Sequence, residues 1–144
     1  VSRPPVSALE QTAMSRFFCA RQFAVIGAST DRSKFGNHVL RWYIDRHMPV
    51  TPVHPKQESI EGIRAVKELK EATEQAPNKF EALTGVSIIT PPSITKMILE
   101  KYAQESQIEG FWLQPGAADG IVVKWIQEQP EEVQSKIVYS GPCV

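Results

Sequence analysis

Short apolar runs recur along the chain, and each stops at a loop of small residues or proline. They are FAVIG (23–27), VTPV (50–53), GVSIIT (85–90), GFWLQ (110–114) and KIVYSG (136–141). Runs this short and this apolar have the pattern of strands buried on both faces. Helical patterns fill the spaces between them. NHVLRWYIDRH sets Val39, Leu40, Tyr43, Ile44 and His47 on one stripe. RAVKELKEATEQAP predicts a short helix stopped by Pro77. SITKMILEKYAQES predicts a strongly amphipathic helix, with Ser93 as its N-cap and Ile94, Met97, Ile98, Leu99 and Tyr102 as its apolar side. AADGIVVKWIQEQP predicts one that begins near Asp119.

Strands alternating with helices imply a parallel sheet with helices on both faces. Right-handed crossovers make it doubly wound, with an expected strand order of 3-2-1-4-5. Pro52 cannot donate to a ladder, which places VTPV at an edge or a strand end. HPKQESIEG (54–62) is read as a loop. The 144 residues suffice for one domain with one core. Residues 1–20 are expected to be an N-terminal arm and a leading helix, with Ser7 and Glu10 as its capping box, and residues 21–144 the α/β domain.

Sixteen basic and sixteen acidic residues leave no net charge, which argues against bulk binding of nucleic acid but not against a local cationic pocket. The two cysteines, Cys19 and Cys143, lie near opposite ends, so neither a disulfide framework nor a zinc site is expected. No apolar run is long enough to span a membrane, and the first residues carry no apolar secretory core. The expected compartment is cytoplasmic, with a trimmed mitochondrial presequence as the alternative.

Doubly wound sheets bind ligands at the carboxyl ends of their strands, where the strand order reverses. That rule selects the loops after Gly27, Val53, Thr90, Gln114 and Ser140. The first reads Gly27-Ala28-Ser29-Thr30, with Arg32 and Lys34 beyond and Gly36 opening the next helix. Its residues let a ligand approach the backbone, offer hydroxyls and lead to a helix start that favours anions. The second, His54-Pro55-Lys56, has a cation where an NAD site wants an acid. A cation there suits a phosphate on the ribose, either the 2′-phosphate of NADP or the 3′-phosphate of coenzyme A. Thr90-Pro91-Pro92 gives a rigid apolar edge, suited to an adenine ring or simply to ending a strand. Gln114-Pro115-Gly116 and Ser140-Gly141-Pro142-Cys143 are small turn-forming segments.

Taken together, VIGAS, VTPVHPK, SIITPP, FWLQPG and GPC, in this order and spacing, make the chain resemble the Rossmann-like CoA-binding domain family. The stand-alone members are the nearest likeness, and a similar module opens the succinyl-CoA synthetase α subunit. The resemblance runs from Phe23 to Cys143. It implies that the pyrophosphate of CoA lies against Gly27, Ala28, Ser29 and Thr30. It implies Lys56 near the phosphorylated ribose with Pro55 shaping the turn, and Thr90, Pro91 and Pro92 beside the adenine. Gln114 and Gly116 would border the inner end of the cofactor. Stand-alone members often carry an acidic residue where this chain has Pro115, and an Asp-Arg pair where it has Gly141-Pro142. The synthetase's phosphorylated histidine belongs to a second domain, and none of His38, His47 or His54 inherits that role by position.

No nucleophile–base motif appears in the sequence. The glutamates from Glu58 to Glu74 read as a solvated face. Cys143, at the ligand end of the sheet, is the one candidate to meet a CoA thiol by disulfide exchange; the alternative is a small residue ending a strand. The expectation is a ligand-binding module for coenzyme A or an acyl-CoA, with an NADP-binding oxidoreductase-like protein as the alternative. The pattern leaves a homo-oligomer or a further protein partner open.

Overall fold

The computed structural model describes residues 8–74 and 83–141. The N-terminal arm, Ser7, the end of the helix expected to stop at Pro77, and Cys143 lie outside the described residues. In chain order the elements are α1 (Ala8–Phe17), β1 (Gln22–Ile26), α2 (Phe35–Asp45), β2 (Val50–Val53), β3 (Ser59–Ile60), β4 (Ile63–Arg64), α3 (Leu69–Glu74), β5 (Thr84–Ile88), α4 (Pro92–Tyr102), β6 (Ile108–Leu113), α5 (Gly120–Gln127), α6 (Glu131–Gln134) and β7 (Ile137–Val138).

Five strands form one parallel sheet in the order β2-β1-β5-β6-β7. Counted along the sheet this is 2-1-3-4-5, which corrects the expected 3-2-1-4-5. Among the described residues the position outside β2 holds only a parallel bridge between Val53 and Val66. The reason lies in 54–66, where the chain makes a small hairpin instead of a strand. Glu61 and Gly62 both have positive φ, 51° and 78°, which closes a two-residue turn between β3 and β4. The segment read as a loop is therefore partly a ribbon. The short helix expected within the stretch from Arg64 begins at Leu69, after Val66, which is bonded to the edge of β2.

Alternate residues of each strand feed two cores. Ala24, Val86, Ile88, Phe111, Leu113 and Ile137 face α3, α4, α5 and α6. Phe23, Val25, Trp112 and Val138 face α1 and α2. Phe17, Phe23, Tyr43 and Trp112 form a run of ring contacts on that second face, with centroids 5.0–5.4 Å apart. The leading helix is thus built into the core. Glu10 is buried, and its carboxylate accepts the backbone N–H groups of Tyr139 and Ser140 and the Ser140 hydroxyl, tying α1 to the end of β7.

Other local expectations meet mixed outcomes. Asp119 caps α5, accepting the Val122 N–H at 3.0 Å. Ser93 does not cap α4: Pro91 holds the N-cap position and Pro92 is already helical, where a missing N–H does no harm. His47 leaves its stripe, since it follows the end of α2 with a left-handed φ of 56° and is exposed. The C-terminal end of α4 is closed by a distant residue. The Lys136 ammonium donates to the Ala103 and Glu105 carbonyls at 3.1 and 3.0 Å.

Candidate functional site

Chain direction across the sheet reverses between β1 and β5, so the loops after these strands splay to opposite sides and leave a crevice. The two loops approach closely beneath it. Gly27 has a φ of 95°, and a Cβ on it would stand 2.2 Å from the Ile89 carbonyl oxygen. Only glycine fits there.

From Gly27 onward the first loop is clamped by α2. The buried Asn37 side chain donates to the Ser29 carbonyl at 2.9 Å and accepts from Arg41 at 2.7 Å. Arg41 in turn donates to the Arg32 carbonyl at 3.1 Å. The Ser29 hydroxyl accepts the Asp31 N–H, and Asp31 accepts both the N–H and the hydroxyl of Ser33. These two bonds, the side-chain one first, hold the Asp31 carboxyl below its ordinary 3.8. The loop is ordered by its own bonds and by α2, so it presents a fixed surface to whatever enters the crevice.

A cavity of about 470 Å3 occupies the crevice at the carboxyl ends of β1, β2 and β5. Gly27, Ala28, His54, Pro55 and Thr90 meet in it, from three separate loops. Its apolar wall comes from α4, through Ile94, Met97, Ile98 and Tyr102, with Leu69 of α3 opposite. Ile94 and Met97, on the expected apolar side of the helix, are 42% and 66% exposed, and that edge of the α4 stripe lines the crevice. Thr95 is the buried residue of that first turn, and its hydroxyl pins the Thr90–Pro91 corner through bonds to both residues. The Lys101 ammonium lies 5.2 Å over the Tyr102 ring, and Lys67 and Glu68 complete the polar rim.

The His54 ring fixes the second loop. Its Nδ1 accepts the backbone N–H groups of Lys56 and Gln57, both at 3.0 Å. Nδ1 must therefore carry the lone pair, and the ring's other nitrogen is left as a donor.

The remaining expected site residues stand elsewhere. Ser29, Thr30 and Lys34 belong to the clamped loop but do not line the cavity. Lys56 opens onto a separate hollow outside β2, and Pro92 onto one between α4 and α5. Pro91 is the α4 N-cap, and Gly116 is an exposed turn residue with a φ of 95°. Gln114 is 1% exposed and donates to the Ser87 hydroxyl, which also bonds the Tyr43 hydroxyl, so it braces the sheet's interior. Sequence reasoning missed Lys67, Leu69 and Lys101. Only the exposure of part of the α4 stripe, invisible in the periodicity, would have pointed to that wall.

Among the described residues no group of three or more His, Cys, Asp or Glu is placed to hold a metal ion. No helix among them is long and apolar enough to cross a membrane.

Known structures share this arrangement. A conserved hypothetical protein from Pyrococcus furiosus is 25% identical, with 75% of this chain and 86% of that one covered at a TM-score of 0.59. A hypothetical protein from Pyrococcus horikoshii OT3 is 20% identical, covering 96% and 89%, with a TM-score of 0.69. A Thermus thermophilus protein described as cell-free ID.343 is 23% identical, covering 94% and 92%, with a TM-score of 0.68. No curated protein matches. The family model described as "CoA binding domain" matches residues 21–139, the whole span from the start of β1 to the end of β7 with every loop of the crevice inside it, and the chain belongs to that family.

Proposed function

We propose that the protein binds coenzyme A or an acyl-CoA in the crevice between the β1 and β5 loops, as a binding module without chemistry of its own. The observation that carries this reading is the convergence of Gly27, Ala28, His54, Pro55 and Thr90 on one cavity with an apolar wall. Its volume lies within the range of about 300–1,000 Å3 that ligand pockets occupy.

The residues fit the parts of the cofactor. The α4 wall, with Ile94, Met97 and Tyr102, suits the adenine ring. The clamped loop from Gly27 to Thr30, leading into α2 past Lys34, suits the pyrophosphate. Cations beside the end of β2 suit the ribose phosphate. The pantetheine arm would then run toward the Gln114–Gly116 turn. NADP is the second reading, because its ribose phosphate would meet the same cations and β2 is followed by no acid in the His54-Pro55-Lys56 turn.

Calorimetric titration with CoA, dephospho-CoA, NADP and NAD tests this. CoA should bind most tightly. Tighter binding of NADP would transfer the site to the second reading, and absence of binding to all of them would sink both.

A further inference from the structure

Two hollows meet at one side chain. Lys67 lines the crevice, with His54 and Leu69, and also the hollow of about 890 Å3 outside β2, with Lys56 and Arg64. Lys56 lines only the outer one. We propose that Lys67 is the residue that reads the ribose phosphate monoester of the bound nucleotide, with Lys56 and Arg64 supplying the potential behind it. The inference rests on the nucleotide-binding reading above and names the specificity residue within it.

Three observations carry it. The first is placement. Val66 donates to the Pro52 carbonyl at 3.0 Å and accepts the His54 N–H at 2.8 Å, so the backbone before Lys67 is bound to the edge of the sheet. Lys67 therefore leaves the sheet at the level of His54, beside the cavity mouth. Lys56 instead follows a local turn held by the His54 ring.

The second is charge. Lys56, Arg64 and Lys67 share the outer hollow with Glu58 and Glu71, and none of the three cations forms an ion pair among the described residues. Lys67 is exposed, so its ammonium can be turned toward a phosphate without losing an ion pair to any described residue. A phosphate monoester carries close to two negative charges near neutrality, and a lysine meets it as a mobile point charge.

The third is route. Lys67 is the cation common to the crevice and the outer hollow, so a phosphate on a ribose held over Pro55, with its base against α4, would meet it on the way from one to the other. CoA and NADP both end that edge in a phosphate, on different ribose carbons, so the shared chemistry is a ribose phosphate monoester.

The experiment compares CoA with dephospho-CoA, and NADP with NAD, on the wild type, Lys67→Ala, Lys67→Gln and Lys56→Ala, with thermal melts to verify folding. One charge-assisted contact predicts that the wild type favours the phosphorylated member of its pair by about ten- to a hundredfold. Both Lys67 variants should bring that ratio close to one while leaving dephospho-CoA affinity nearly unchanged, and Lys56→Ala should keep most of it. The ratio should shrink with added salt. The same Lys67 dependence on the NADP pair alone would support the residue and move the ligand. Discrimination that survives in both Lys67 variants, disappears in Lys56→Ala, or is absent from a wild type that binds CoA would overturn the proposal and leave CoA binding standing. A wild type that binds none of the four compounds would remove both.

Discussion

The carbonyl oxygen of Gly27 occupies the space a side chain on Gly36 would need. A Cβ added to Gly36 would lie 2.0 Å from it. The start of α2 thus rests directly on the turn that leaves β1. A glycine in the first turn of a helix would ordinarily be improved by alanine, by about 0.4–1 kcal/mol through the unfolded chain. Here the obstacle is backbone, which cannot rotate away. Gly36→Ala should instead destabilise the protein by about 1–3 kcal/mol, in the range of overpacking. It should also weaken nucleotide binding, because relief of the clash moves the Gly27–Thr30 loop. Urea unfolding checks the first part and calorimetry the second; a higher unfolding midpoint would refute the packing argument.

The sheet and the loops that end its strands were legible because strand runs and breakers are local signals. Gly27, Ala28, His54, Pro55 and Thr90 do line one cavity, as their place after the strands implied. What periodicity could not resolve is which part of an amphipathic stripe meets the core. Ile94 and Leu99 look alike on α4, but the sheet ends beneath the helix's first turn, so Leu99 is buried and Ile94 borders the crevice. The hairpin at Glu61–Gly62 escaped notice because glutamate is a poor marker of positive φ. Lys67 escaped because the stretch around it has helical spacing, whereas two long-range backbone bonds hold Val66 on the sheet.

Asp31 organises the first loop through Ser33, and its titration reports on that. Its carboxyl is held below 3.8, first by the Ser33 hydroxyl and then by the Ser33 N–H. A carboxyl depressed in the folded state favours folding at pH above its unfolded value, and that contribution is lost as pH falls through the folded midpoint. Side-chain carbon NMR should find the Asp31 midpoint below the ordinary value in the wild type. In Ser33→Ala it should rise part of the way back, since the N–H remains. No change in that variant would remove the hydroxyl from the account.

Lys136 gives the opposite sign. Burial first, and the Arg16 charge second, push its ammonium below the ordinary 10.5, against smaller opposing effects of Glu109 and Glu105. The unfolded chain then holds that proton more tightly than the folded one. Stability therefore rises with pH between the lowered folded value and the ordinary one. Lys136→Met removes the titration along with the two carbonyl bonds at the end of α4. The stability of the wild type relative to Lys136→Met should increase as pH is raised from neutrality toward 10.5. Paired urea unfolding curves measure this difference, and a difference that stays flat or declines would contradict the burial argument.

Met97 and Leu99 separate the site from the scaffold on one helix. Leu99 is fully buried between α4 and the sheet, and Leu99→Ala should cost about 2–5 kcal/mol of stability. Met97 is 66% exposed on the crevice wall, so little of its side chain supports the fold. Met97→Glu should leave stability within about 0.5 kcal/mol of the wild type. It should nevertheless weaken CoA binding about tenfold or more. On the proposed placement the substitution would remove apolar contact from the adenine and set a carboxylate in a cavity that has to accept a pyrophosphate. Met97→Leu, which keeps the apolar wall, should bind nearly as the wild type does. The adenine placement therefore requires an affinity loss without a stability loss in Met97→Glu, together with recovery in Met97→Leu. CoA affinity unchanged in Met97→Glu would move the adenine off α4 and require a different path for the nucleotide across the loops.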